Sequence, residues 1–308
     1  MPRKSILTMA VTAAVLLAGC GGDDGGPTVV PNSGSPSTSS ESSTSTAASS
    51  ASSSSSSSTP SSTPSSTPSS TSSAPAELAV GDCLMYSTYE KVDCSRPHDM
   101  EVSALVPNKE YANDLVKRNA LRSYTCLTEA AKYTGGPGYG TRFLSQGISA
   151  SKDPKSAERI ACVVMLYNET DTGIEKVSRS VKNAVKTDGF EKYQLCTSLP
   201  PSGDKVKMVP CSQPHVAESI GGFITGKFGD AYPGLDKHNA NMLKQCRPYA
   251  QRYLGAQRRD IVASQNSSPA SGWKRGQPIT ACFVETVGGV KVTKSMKGIG
   301  NKPLGSLK

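Results

Sequence analysis

Val92-Asp93-Cys94-Ser95-Arg96-Pro97-His98-Asp99-Met100-Glu101 returns later in the chain as Val209-Pro210-Cys211-Ser212-Gln213-Pro214-His215-Val216-Ala217-Glu218. Both stretches read Cys-Ser-x-Pro-His-x-x-Glu, and every matched residue recurs at one offset of 117. The chain therefore reads as a tandem repeat in which each copy is a small domain, as its 308 residues allow.

Around each copy of the motif the same order of elements is expected. In repeat one, short strands at Leu78 to Leu84, Lys91 to Cys94 and Glu101 to Val106 precede a helix. That helix starts at Asn108 as N-cap, runs to about Tyr133 with Val116, Ala120, Leu127 and Ala131 on one stripe, and stops at Gly135-Gly136-Pro137-Gly138. Strands at Thr141 to Ser149 and Ile160 to Tyr167 follow, the second apolar enough to be buried on both faces, and Ile174 to Val181 closes a hairpin. Repeat two gives strands at Leu195-Cys196, Met208 to Cys211 and Glu218 to Thr225, then a helix from about Asp236 in which Pro248 predicts a kink or early break. Strands at Asp260 to Ser264, Ile279 to Val287 and Val290 to Met296 complete it, with Asn266 to Gly272 as an inserted loop. The ends also match: Arg179-Ser180-Val181-Lys182-Asn183 resembles Lys294-Ser295-Met296-Lys297-Gly298.

What precedes the repeats is of another kind. Pro2-Arg3-Lys4 is a basic start and Ser5 to Ala18 an apolar run too short to span a bilayer, which together make a signal peptide over residues 1–19. It ends in Leu17-Ala18-Gly19-Cys20, which resembles the bacterial lipobox and implies lipidation, with palmitate among the acyl groups, at Cys20. Two or three acyl chains hold a protein at a membrane stably where one does not. Residues 20–76 are rich in Ser, Thr and Pro, with tandem Ser-Ser-Thr-Pro units ending at Pro60, Pro64 and Pro68. Such a segment has little to bury and is read as a disordered linker, whose coil would span roughly 40 Å. The expected location is the outer face of the cell membrane, with the repeats reaching into the wall.

Charge separates the two copies. Glu77 to Asp188 carries 15 Lys and Arg against 15 Asp and Glu, whereas Glu191 to Lys308 carries 17 against 7. The surplus in repeat two suits solubility and attraction to an anionic partner such as a lipid surface or an acidic wall polymer. With five Phe and one Trp, and an exported address, nucleic acid is not expected as a partner.

Removing Cys20 leaves eight cysteines, four per repeat. In an exported chain an even set reads as a disulfide framework, and four cysteines allow three pairings in each domain. The favoured pairing joins Cys83 to Cys94 and Cys196 to Cys211 across hairpins. It then joins Cys126 to Cys162 and Cys246 to Cys282, helix to central strand, at a spacing of 36 residues in both repeats. The competing reading of Cys94-x-x-x-His98 and Cys211-x-x-x-His215 as half of a zinc site is disfavoured, because each Cys has an oxidised partner at hand; no metal or other cofactor is expected.

Histidine chemistry has little to start from. His98 and His215 are two of three histidines, and Glu101 and Glu218 stand three residues after them. In an extended strand positions three apart face opposite sides, so the expectation is that these imidazoles cap a turn beside the disulfide and do not pair with the carboxylates. These four residues are kept as the possible binding residues. No nucleophile elbow, His-Glu-x-x-His, phosphate loop or dinucleotide turn is present.

Gly81-Asp82-Cys83, the first motif copy through Val102, Cys126 on a helix and Cys162 on a strand resemble the septum formation-related domain of actinobacterial lipoproteins and membrane proteins. So do the second motif copy, Pro233-Gly234, Trp273-x-x-Gly276 and Ala281-Cys282, although repeat two departs at Pro210 and Val216 and repeat one lacks the Trp. The resemblance implies an envelope protein associated with division and carries over no catalytic residue.

The fold expected is α+β: two tandem small disulfide-stapled domains at 77–184 and 191–300, each a mainly antiparallel sheet with one main helix, after the linker. The function expected is a non-enzymatic envelope lipoprotein that binds an anionic wall polymer or a division protein. The alternative is an enzyme or enzyme regulator acting on wall polymers.

Overall fold

A computed structural model describes residues 77–150, 159–170, 172–203 and 205–308. The signal peptide, Cys20 and the linker to residue 76 lie outside the described residues. Among the described residues no helix is long and apolar enough to cross a membrane.

The first half contains β1 (Cys83–Leu84), β2 (Lys91–Val92), β3 (Met100–Pro107), α1 (Leu115–Thr134), β4 (Phe143–Ser149), β5 (Arg159–Tyr167) and β6 (Ile174–Glu175). Its antiparallel sheet runs β2-β1-β3-β5-β4, with β6 also on β5. A short helix α2 (Ala184–Asp188) leads to the second half, built from β7 (Cys196–Thr197), β8 (Met208–Val209), β9 (Ala217–Ile224), α3 (Leu235–Leu254), β10 (Ile261–Ser267), α4 (Ala270–Lys274) and β11 (Ile279–Thr286). That sheet runs β10-β11-β9-β7-β8, so corresponding strands occupy corresponding places in both halves. Each is an antiparallel sheet with one long helix, as the patterning of the sequence implies. The apolar runs Ile160–Leu166 and Ile279–Phe283 form the central strands, buried on both faces.

The copies agree to the level of a bulge. Register shifts at Ser103 in β3, between Val102 and Ala104, and at Ile220 in β9, opposite Cys282 and Phe283. These two residues are also 117 apart. A bulge re-aims the side chains around it, and each lies two residues after the motif glutamate.

Four disulfides close the frame: Cys83–Cys94, Cys126–Cys162, Cys196–Cys211 and Cys246–Cys282. The first and third tie β1 and β7 to the segments just after β2 and β8. The other two tie α1 to β5 and α3 to β11.

Several local expectations need correction. Helix α1 begins at Leu115 and not after Asn108, because β3 continues to Pro107 and the side chain of Asp114 takes the capping role, accepting from Lys117 N at 2.9 Å. Val116 consequently lies in the first turn and is 76% exposed, while Ala120 one turn on is buried, as are Cys126, Ala130 and Tyr133. Helix α3 runs through Pro248 without a break. Pro248 and Lys244, whose carbonyl loses its partner there, are both on the solvent face, where water can serve that oxygen. The closing strands shrink to β6 and to single bridges, His98 with Val177 and His215 with Val292. The inserted loop is the end of β10 followed by α4.

The halves abut through main chain. Gly276, at φ +77°, lies so close to α1 that a Cβ there would stand 1.9 Å from the Ala120 carbonyl oxygen. A Cβ on Gly140 would stand 2.5 Å from the Gly221 carbonyl oxygen, and the Ser219 hydroxyl donates to the Gly140 carbonyl. Phe228 meets the rings of Tyr111 and Tyr124 at centroid distances of 6.0 and 6.2 Å. The second half thus packs on α1 at Ala120 and Tyr124, whereas α3 shows its outer face to solvent.

Candidate functional site

The repeated motif builds the same structure twice. Each turn begins at the half-buried Cys94 or Cys211 and brings an imidazole Nδ1 onto a carbonyl two residues back: His98 on Arg96 at 2.8 Å, His215 on Gln213 at 2.7 Å. The backbone of each histidine exchanges both of its hydrogen bonds, each 2.9 Å, with Val177 or Val292. A bend at Asp99 or Val216 then separates the histidine from the strand that carries the glutamate.

That bend overturns the expectation that histidine and glutamate point apart. His215 Nε2 meets Glu218 Oε1 at 2.9 Å, since the histidine lies outside the strand and strand alternation does not govern it. His98 reaches the same neighbourhood, but its Nε2 has no partner among the described residues. All four side chains are almost completely buried.

The carboxylates are anchors for three separate segments. Glu218 accepts from Tyr253 Oη at 2.8 Å, Ser295 Oγ at 3.2 Å and Met296 N at 3.0 Å. Glu101 accepts from the Tyr133 hydroxyl, from Ser180 Oγ at 2.5 Å and from Val181 N at 2.6 Å. One carboxylate in each half therefore joins the last turn of the long helix, the strand after the motif and the segment after the final hairpin. Burial, and then the adjacent carboxylate, push the phenols of Tyr133 and Tyr253 well above the ordinary tyrosine range.

Cys83, His98 and Glu101, like Cys196, His215 and Glu218, place ligand-type atoms within 4.8 Å of one another. The sulfurs are bridged and the carboxylates carry donors from their own chain, so the arrangement fits a structural knot better than a metal centre.

A family model described as Septum formation matches residues 80–282. The chain belongs to the septum formation family. No curated protein and no solved structure matches it. The septum formation match spans both motif copies and ends at Cys282, the last cysteine of the framework.

A second place in the structure was not singled out from the sequence. Between the halves is a cleft of about 480 Å³, walled by the start of α1 on one side and by the Lys227–Tyr232 loop and α4 on the other. Beside it, Tyr232, His238 and Trp273 form a triangle with ring centroids 5.4 to 5.6 Å apart. Tyr232 Oη, His238 Nε2 and Trp273 Nε1 are buried and have no hydrogen-bond partner among the described residues. Burial holds the His238 imidazole below the ordinary histidine range, favouring its neutral form. The available sequence signal was that Trp273 is the single Trp of the chain and lies where repeat two departs from repeat one.

Proposed function

We propose that this protein is a non-catalytic module of the septum formation family, held to the outer face of the cell membrane through lipid on Cys20, and that its second half binds an anionic polymer of the wall. The observation that carries the reading is the enclosure of the motif. His98, Glu101, His215 and Glu218 are at most 1% exposed, and the carboxylates accept hydrogen bonds from their own chain. Side chains so enclosed serve the frame and are poorly placed to meet a substrate, which weighs against an enzyme acting through them.

The outer face of α3 supports the choice of partner. Lys237, Lys244, Arg247 and Arg252 are exposed along it, with Asp236 the only acid in the helix. Acids elsewhere in the second half are largely engaged: Glu218 is buried, Glu191 pairs with Lys297, and Asp260 pairs with Arg258 at 2.8 Å. A field of one sign on an exposed helix attracts an anionic surface and weakens with salt.

The test is pelleting of the full chain with purified wall sacculi at low and high salt. Lys237→Glu, Lys244→Glu and Arg247→Glu together should reduce binding about tenfold or more at low salt. Reversing Lys176, Lys182 and Lys186 of the first half should leave it nearly unchanged. Equal loss from both sets, or binding indifferent to salt, contradicts the reading. Cys20→Ser should move the protein out of the membrane fraction.

A further inference from the structure

We propose that the cleft between the halves binds a saccharide ring. The proposal deepens, and rests on, the reading of the chain as a wall-binding module. About 480 Å³ is within the range of small-molecule sites, which favour junctions such as this one. The chemistry of the lining selects among ligands. Tyr232, Trp273, Val116 and Phe228 give it an apolar, aromatic face, onto which the C–H face of a sugar ring can stack. Tyr232 and Trp273 join that lining from the ring triangle, whose three polar tips are buried and without partners among the described residues.

The rim carries both signs. Asp114 and Lys117 stand on one wall, and Lys227, Asp230 and Lys274 on the other. Both carboxylates are fixed by turns, Asp114 accepting from Lys117 N at 2.9 Å and Asp230 from Lys227 N at 2.7 Å. A simple anion would meet these acids. Hydroxyl groups, which donate and accept alike, suit such a rim.

The site is also preformed and unrepeated. A Cβ on Gly226 would fall 2.7 Å from the Trp273 ring, so the indole lies directly on main chain, and Gly276 holds the following turn against α1. Aligning Cys246 with Cys126 puts Arg118 at the place of His238. What the two halves share is the frame around the glutamates; the ring triangle belongs to one half only.

Because Trp273 is the sole tryptophan, its fluorescence reports on this cleft alone. The full chain is titrated with N-acetylglucosaminyl-N-acetylmuramic acid released from wall glycan and with chitotriose. The expected result is a saturable change in emission that persists when salt rises from about 0.05 to 0.5 M. Phe228→Ala, which removes an aromatic wall and leaves Trp273 in place, should weaken binding roughly fivefold to tenfold. Absence of any change with either saccharide overturns the proposal, as does a response to inorganic phosphate that salt abolishes. Sacculus pelleting in parallel separates the failures: wall binding without a saccharide response removes this site only, and a saccharide response without wall binding removes the wall-binding reading.

Discussion

Tyr253, in the last turn of α3, donates its phenolic hydrogen to Glu218 on β9 across 2.8 Å, and Tyr133 on α1 stands in the same relation to Glu101 on β3. The duplicated part of the sequence is therefore a duplicated anchor. The carboxylate is buried and accepts from several donors, so the predicted consequence of neutralising it is structural. Glu218→Gln keeps the shape but turns an amide donor toward groups that themselves donate. It should cost about 2–4 kcal/mol of stability in urea unfolding with disulfides intact, and Glu101→Gln should cost a similar amount. A variant as stable as the parent would contradict the anchor.

Alkaline pH should reveal the same knots. The phenols of Tyr133 and Tyr253 are raised, mainly by burial, and burial and the Asp188 carboxylate push Tyr193 up to about 12. In the unfolded chain these groups ionise near pH 10. Between that pH and the higher folded values the unfolded state binds fewer protons, so stability falls as pH rises. The melting temperature should hold below about pH 10 and decline above it, with phenolate absorbance from these residues appearing together with unfolding. Full phenolate absorbance at pH 10 in the folded state would be inconsistent with their burial.

The two bridges from helix to sheet close loops of equal length, 36 residues. In the chain-entropy model each contributes about 3–4 kcal/mol. Removing one as Cys126→Ser with Cys162→Ser should lower stability by that order, and the matched pair in the second half should do the same. Peptide mapping without reduction checks the connectivity independently.

Gly276 fixes how the halves meet. Gly276→Ala adds a Cβ where only 1.9 Å separates it from the Ala120 carbonyl oxygen, at a φ of +77°. The halves must then part, and Trp273, three residues away, should shift its emission to the red while each half keeps its far-ultraviolet signal. An unshifted spectrum would mean that the contact is not made in solution.

Much of the architecture is legible in the residues. The apolar runs at Ile160–Leu166 and Ile279–Phe283, the cysteine spacing and the motif offset together imply two stapled sheets with one helix each, because these patterns report local period and covalent reach. The misjudged features depend on neighbours. Val116 fits a helical stripe with Ala120, but Asp114 starts the helix late and leaves Val116 exposed in its first turn. His215 and Glu218 look opposed until a bend at Val216 brings them together. The partners of the glutamates were in view, since Ser180 and Ser295 stand in the matched end segments, but nothing local says that those segments return to β3 and β9. The ring triangle draws on Tyr232, His238 and Trp273 from a loop and two helices, and only tertiary packing assembles it.

The central claim is that the repeated motif is frame and that binding belongs to the unrepeated features of the second half. Hydrogen–deuterium exchange of the full chain, with and without wall sacculi, tests it most directly. The account predicts new protection in the Lys227–Tyr232 loop, in α3 and in the 270–276 turn, with the stretches 94–101 and 211–218 unchanged. Protection gained mainly within those two motif stretches, with the second-half surfaces unaffected, would contradict it.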